Sequence, residues 1–378
     1  MARKGKSRRR IKDWHARWQA GQELDEVDAH GRRMSERGVK LRQDRFAASD
    51  DLDGLPRADG MVTGLFRGGA TVRPLAPHGG DDAEWLCGIA KTFRPPSDAT
   101  PLAVGDIVTV ALLAAGHADA ADADRDRADG MILTREERTT ALARPRPWSA
   151  KRRDRYGTEP RAKVIAANMD VLLIVAAVKR PTFRRALIDR FLIVAEHGGL
   201  KPVLVVNKTD LKPPDETLLG EFRALGVAVL PTSARTGDGV GALAGVLAGH
   251  KNVLAGASGV GKTALVNHLV PGTTARTRSV RSKDDRGRHT TSSAAVYDLP
   301  DGGILVDTPG VRELGVNLDA ADLPWYFPEI ERVASSCKFN NCTHTHEPDC
   351  AVRAAVEAGG IPARRYDSYL RILESIEG

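Results

Sequence analysis

Along the second half of the chain, apolar runs of strand length alternate with segments of helical length. Val171–Val178 (VLLIVAAV) is apolar throughout, which predicts a strand buried on both faces. Phe183–His197 predicts a helix, Pro202–Val206 a second strand, Glu216–Leu225 a helix and Val227–Leu230 a third strand. Val253–Ala255 is a further short strand, followed by a glycine-rich turn and the helical run Ala264–Leu269. Ala294–Leu299 and Gly303–Val306 add two more strands. Near-continuous apolar strands separated by helices predict a parallel sheet covered on both faces. Ligands of such sheets gather beyond the carboxyl ends of the strands.

Upstream the texture differs. Met61–Phe66, Ala70–Leu75, Glu84–Ala90, Val104–Leu113 and Gly130–Leu133 are short β-like runs broken by Gly, Pro and Asp. Several short strands with turn signals predict a small β-barrel, and a five-stranded oligonucleotide-binding (OB) barrel fits the size. Residues before about 58 show no clear period. Beyond residue 319, Ala351–Gly359 and Ala363–Ile376 read as helices. The expected organisation is multidomain: a basic N-terminal arm (1–57), an OB-like barrel (58–148), an α/β domain (152–318) and a small C-terminal helical module (319–378).

Length and charge sharpen this picture. A chain of 378 residues has room for two or three domains and a sizeable core. The formal charge is +7, and the excess is concentrated: Met1–Lys12 holds seven Lys or Arg and no acid. Such a run suits a polyanion, and a basic arm can order on nucleic acid. A second basic stretch, Arg144–Lys163, interleaves Trp148 and Tyr156 with arginines; it reads as an interdomain linker, with RNA contact as a secondary role. Ala118–Asp129 (ADAADADRDRAD) reads as a solvated loop and not a metal site. No apolar segment has bilayer length and no signal-peptide core follows the basic start, so the expected location is cytoplasmic.

The chemistry lies at the predicted strand ends. Gly256-Ala257-Ser258-Gly259-Val260-Gly261-Lys262-Thr263, with Ala264 opening the next helix, is the GxxxxGK[ST] phosphate loop in its required strand–turn–helix setting. Its backbone N–H groups and the helix dipole bind phosphate, Lys262 reaches the β- and γ-phosphates, and Thr263 ligates magnesium. Asn207-Lys208-Thr209-Asp210 ends the second strand of the α/β region. A carboxylate such as Asp210 only accepts hydrogen bonds, so it matches the ring N–H and exocyclic amine of guanine and not adenine. Asn207 can brace the loop or the base, and the Lys208 stem can lie along the base face. In Thr232-Ser233-Ala234, the Ala234 N–H can meet the guanine carbonyl.

Asp307-Thr308-Pro309-Gly310 ends another strand, so Asp307 can hold magnesium through water and the Gly310 N–H can sense a γ-phosphate. These parts are those of a GTPase in circularly permuted order, since Asn207 precedes Gly256. Permutation is tolerated because domain termini usually lie close together. After Gly310 stands Val311, which cannot orient water. His289, in the Arg/Ser/Thr/Gly-rich stretch 273–293, is the candidate substitute, and Thr290 or Thr291 completes the magnesium shell. Cys337, Cys342, His344 and Cys350 supply three thiolates and an imidazole, the donor set of a structural zinc site, with His346 a rival to His344.

In order, VIAANMD (164–170), NKTD, TSA, GASGVGKT, GRHTT, DTPG and CKFNNCTHTHEPDC resemble the ribosome small-subunit-dependent GTPase A family across roughly residues 58–378. The resemblance implies an OB barrel, a permuted GTPase domain and a zinc module. It also implies GTP hydrolysis late in small-subunit assembly, stimulated by the subunit. It supports His289 as catalytic histidine and Cys337, Cys342, His344 and Cys350 as zinc ligands; the candidate catalytic residues are His289, Lys262 and Thr291. The expected cofactors are GTP/GDP, Mg2+ and one structural Zn2+; the expected partners are the small ribosomal subunit and its rRNA, with no membrane, and the expected state is a monomer. The basic arm and the Asp-rich insertion depart from the family pattern. Competing classes are an RNA-binding guanine-nucleotide sensor with little turnover and an ATP-dependent enzyme such as a kinase.

Overall fold

The computed structural model describes residues 52, 54–66, 68–76, 84–96, 100–113, 128–144, 163–272, 294–307 and 318–377. The basic arm through residue 51, positions 118–127 of the Ala/Asp-rich stretch, positions 145–162 of the second basic stretch, and segments 273–293 and 308–317 lie outside them.

Five strands build the expected barrel: β1 (Arg57–Phe66), β2 (Gly69–Pro74), β3 (Trp85–Ile89), β4 (Ile107–Leu112) and β5 (Gly130–Arg135). They close in the order β1-β2-β3-β5-β4, with β3 and β5 parallel and the other pairs antiparallel. Alternate side chains point inward, and Val62, Ala70, Val72, Cys87, Val108, Val110 and Ile132 fill the interior with no exposed surface. A bulge between Val62 and Gly64 bends β1 to help closure.

A feature not expected from the sequence follows. β6 (Ala141–Arg144) and β7 (Lys163–Ala167) pair antiparallel as a ribbon between barrel and sheet. β6 falls in the range assigned to the barrel, yet it pairs with β7 and not with a barrel strand. Its four residues flank the basic stretch, so no run long enough to show a period marks it.

The α/β region contains β8 (Val171–Ala177), α1 (Arg185–His197), β9 (Lys201–Asn207), α2 (Glu216–Ala224), β10 (Ala228–Pro231), α3 (Val240–Leu247), β11 (Lys251–Ala255), α4 (Lys262–Leu269), β12 (Ala295–Asp298) and β13 (Ile304–Asp307). The strand order is β10-β9-β8-β11-β13-β12, parallel except for β12. Every residue of β8 is buried. Its side chains alternate between two cores, Leu172, Ile174 and Ala176 on one face and Val171, Leu173, Val175 and Ala177 on the other. That alternation explains the unbroken apolar run: both faces are covered. α2 starts where the Asp215 side chain accepts the Leu218 N–H at 3.1 Å. α3 carries two glycines in eight residues and no side-chain cap, which hid it in the sequence.

After a 3-10 segment at Ala320–Tyr326 come α5 (Pro328–Ala334), α6 (Ala351–Glu357) and α7 (Ala363–Glu377). Leu323, Phe327, Ile330, Tyr369, Ile372 and Leu373 belong to the same buried cluster as Leu172, Ile188 and Phe191. The C-terminal module therefore shares its apolar core with the α/β region. An ionic cluster crosses the same joint: fully buried Asp189 of α1 is 2.6 Å from Arg365 of α7 and 3.4 Å from Arg185. Arg365 also pairs with Glu329 and lies 4.2 Å over the Phe327 ring.

Candidate functional site

The phosphate loop leaves the end of β11 and enters α4 at the carboxyl edge of the parallel strands. Gly256 (φ 136°) must be glycine, because a Cβ there would lie 2.3 Å from the Val175 carbonyl oxygen of β8. Gly261 (φ 101°) caps α4, and a Cβ there would lie 2.3 Å from Asn207 Nδ2. The missing side chain lets Asn207 reach the loop. Lys262 Nζ donates to the carbonyls of Gly256 at 2.7 Å and Ala257 at 2.8 Å, and Ser258, Gly259, Thr263 and Ala264 are exposed. A loop of this curvature, ending in a helix start with a lysine beside it, can hold a polyphosphate.

The strand ends of β9 and β10 bring the NKTD and TSA stretches to this loop. Asn207 is 1% exposed and makes three motifs into one unit: its Nδ2 donates to the Val260 carbonyl at 2.9 Å, and its Oδ1 accepts the Ala234 N–H at 2.9 Å. Lys208 (φ 66°) donates through Nζ to the Gly259 carbonyl at 2.6 Å and to the Arg180 carbonyl. Thr209 Oγ1 donates to the Thr232 carbonyl at 3.0 Å. The Ala234 N–H, expected to face a guanine carbonyl, is thus given to Asn207, and sharing it with a base requires a bifurcated bond.

Asp210 accepts from Ser233 Oγ at 2.7 Å on one oxygen and from Arg235 Nε at 2.6 Å on the other. The Arg235 and Ser233 hydrogen bonds hold its carboxyl below the ordinary carboxylate range, so it stays an acceptor at neutral pH. Arg235 belongs to no motif of the sequence. Its only signal was adjacency to Ser233-Ala234. His268 is likewise unmarked in the sequence: in the last turn of α4, its Nε2 lies 2.6 Å from the Ala234 carbonyl and, facing an acceptor, is the donor of that hydrogen bond.

Asp307 ends β13, paired in register with Leu254 just before the loop, on the side of β11 opposite β8. A Thr263 hydroxyl and an Asp307 carboxylate flanking a phosphate loop are hard oxygen donors, suited to magnesium and not to a soft metal. His289, Thr290, Thr291 and Gly310 lie outside the described residues.

A second cluster sits in the C-terminal module. One ligand atom from each of Cys337, Cys342, His344 and Cys350 lies within 4.8 Å of the others. His344 Nδ1 is 3.6 Å from both the Cys337 and Cys350 sulfurs, which are 3.9 Å apart. With metal–ligand bonds of about 2.0–2.3 Å, tetrahedral zinc spaces its ligands by roughly 3.5–3.8 Å, so the Cys337, His344 and Cys350 spacings fit that ion, with Cys342 within 4.8 Å of them. Burial first, then the neighbouring thiols, pushes the Cys342 thiol up to about 12, and a bound cation reverses that penalty. His344 is 2% exposed, whereas His346 is exposed and hydrogen-bonds Thr345 Oγ1.

The ligand loop is held independently of the sulfurs. The Glu347 carboxylate accepts from Thr343 N at 2.7 Å, Thr343 Oγ1 at 2.6 Å, Thr345 N at 3.1 Å and His346 N at 3.2 Å. From α7, Tyr366 donates to the His344 carbonyl and Tyr369 to the Thr343 carbonyl at 3.0 Å. Among the described residues, no helix is long and apolar enough to cross a membrane.

Comparison with known proteins gives concordant matches. A family model described as RsgA GTPase matches residues 135–317. The chain is similar to the small ribosomal subunit biogenesis GTPase RsgA of Gemmatimonas aurantiaca, 39% identical over 284 residues, 74% of this chain and 86% of the relative. It is similarly related to the protein of that name from Chlorobaculum tepidum, 40% identical over 67% of this chain and 81% of the relative. The crystal structure of YjeQ from Thermotoga maritima resembles it with a TM-score of 0.59 and 30% identity, covering 85% of this chain and 99% of that one. YloQ, described as a circularly permuted GTPase, resembles it with a TM-score of 0.57 and 26% identity, covering 88% and 98%.

Proposed function

The chain belongs to the RsgA GTPase family and is a GTP hydrolase, and from that premise we propose that its hydrolysis serves late maturation of the small ribosomal subunit and is stimulated by the bound subunit. The nucleotide half of this proposal rests on two strand ends that meet. Asn207 and Lys208, after β9, hydrogen-bond the Val260 and Gly259 carbonyls of the phosphate loop, so base and phosphate recognition share one rigid edge. The choice of subunit follows the relatives of similar sequence.

In this reading Gly256–Ala264 cradles the phosphates, Lys262 neutralises the β- and γ-phosphates, and Asp210 selects guanine with Asn207, Lys208, Thr209, Ser233 and Ala234 shaping its loop. Thr263, Asp307 and one of Thr290 or Thr291 would hold magnesium, which would supply neutralisation of phosphate charge. His289 orients the attacking water, and the Gly310 N–H senses the γ-phosphate. Cys337, Cys342, His344 and Cys350 hold one structural zinc. The barrel, the basic arm and the C-terminal module contact rRNA, and the protein works as a cytoplasmic monomer.

Hydrolysis of GTP and ATP measured with and without purified small subunits tests the proposal. It expects a GTP preference and acceleration by the subunit. Subunit-independent turnover would remove the subunit from the mechanism, and equal use of ATP would remove the role given to Asp210.

A further inference from the structure

We propose that Arg235 is the positioning residue of the base-reading carboxylate, holding the plane of Asp210 so that its remaining acceptor capacity meets a purine edge and thereby setting the preference for guanine over bases without the 2-amino group. The inference rests on the reading of Asp210 as the guanine-selecting group.

A carboxylate offers about four acceptor sites, two on each oxygen. At Asp210 the Ser233 hydroxyl takes one on Oδ1 at 2.7 Å and the Arg235 Nε–H one on Oδ2 at 2.6 Å, with the Asp210 N–H a weaker third donor to the same carboxylate. The two side-chain donors grip opposite oxygens, so rotation of the carboxylate plane breaks one bond or the other. The acceptor capacity these donors do not use is left for a ligand. That remainder matches an edge with two adjacent N–H donors, as guanine has in N1–H and the 2-amino group. Inosine keeps N1–H and lacks the amine, so it engages only one of the two oxygens.

Arg235 is anchored well enough to do this, although its side chain is 71% exposed against 7% for Asp210. The residue before it is pinned on both sides. The Ala234 N–H goes to Asn207 Oδ1 at 2.9 Å, and its carbonyl accepts from His268 Nε2 at 2.6 Å. The turn is closed by the Ser233 N–H on the Asp238 carbonyl at 2.9 Å and the Gly237 N–H on the Ser233 carbonyl at 2.8 Å. Arg235 thus leaves a backbone tied to both the NKTD strand and the phosphate-loop helix. Its exposure has a practical benefit: truncating it opens no cavity, so the fold survives the test.

Equilibrium binding of GTP, ITP and ATP to the full chain, by displacement of a fluorescent guanine nucleotide at low salt, decides the matter for wild type, Arg235→Ala and Arg235→Lys. Arg235→Ala is expected to weaken GTP roughly three- to five-fold, the range of an exposed charge-assisted pair, and ITP less, so the GTP/ITP ratio falls. Arg235→Lys, which can still donate to Oδ2, restores most of the ratio. Equal weakening of GTP and ITP, or no change in either, overturns the role of Arg235 while a wild-type preference for GTP over ATP leaves Asp210 in place. A wild type without that preference overturns both.

Discussion

Replacing Arg365 with alanine should loosen the C-terminal module from the α/β region by about 3 kcal/mol. Arg365 is 5% exposed, its Nη1 lies 2.6 Å from Asp189 Oδ1, and its Nε pairs with Glu329. Removing one partner of a buried pair costs about 3–5 kcal/mol, because the other charge stays buried. Arg185 still lies 3.4 Å from Asp189, which places the loss at the lower end. Loss of the guanidinium 4.2 Å above the Phe327 ring adds up to about 1 kcal/mol. Asp189 Oδ2 and Glu329 Oε2 already have no hydrogen-bond partner among the described residues, so the variant leaves Arg185 as the cation beside Asp189. A loss of about 3 kcal/mol is roughly a hundredfold in an opening equilibrium. Amide hydrogen exchange on the full chain reads it directly: peptides of Ala363–Glu377 should exchange about a hundredfold faster, and barrel strands at the wild-type rate. A double variant, Asp189→Leu with Arg365→Met, should recover part of the loss because it removes both charges of the pair. Exchange in α7 within about threefold of wild type would refute the assignment of this pair as the module's clamp.

Three other nucleotide-site variants and one metal experiment follow from the geometry and the sequence. Lys262→Ala should abolish tight GTP binding measured by calorimetry, and retained affinity would remove Lys262 from the phosphate site. Gly261→Ala places a Cβ 2.3 Å from Asn207 Nδ2 at a φ of 101°; it should lose guanine-nucleotide affinity and destabilise the chain by more than about 1 kcal/mol, and a neutral denaturation midpoint would contradict the close approach. His289→Ala should keep GTP binding and lose subunit-stimulated turnover; unchanged stimulation sinks the water-orienting role. Chelation should release one zinc per chain by elemental analysis and raise exchange in residues 337–350, because zinc-site energy is folding energy. With Glu347, Tyr366 and Tyr369 still bracing the loop, α7 should loosen less than the ligand loop, and equal loosening of both would show that the metal alone holds the module.

Much of this protein can be read from local chemistry. A phosphate loop carries its own geometry, because glycines at positive φ and a helix start are consecutive in the chain. An all-apolar strand announces a sheet covered on both faces, and β8 meets two cores as its run implies. A Cys/His set at short spacing declares its donors, and His344 and not His346 lies among the thiols. These features depend on neighbours in sequence, so periodicity and residue type suffice to find them.

Other features exist only after folding, because their partners are far apart along the chain. Asn207 and Val260 are 53 residues apart, and their bond turns two motifs into one site. Arg235 carries no motif of its own, and its meaning comes from the carboxylate 25 positions upstream. The ribbon β6–β7 was hidden because each strand borrows its partner from across a basic stretch. The C-terminal module looked separable because its helices are contiguous in sequence. Packing decided otherwise: Arg365 is 176 positions from Asp189, and no pattern in either helix reports that a buried acid waits for a cation at that distance. Sequence alone determined which chemistry the chain carries at each strand end, since hydrogen-bonding capacity and backbone freedom are properties of single residues. Tertiary structure decided which of those groups act on one another, since burial and distance are properties of the packed whole.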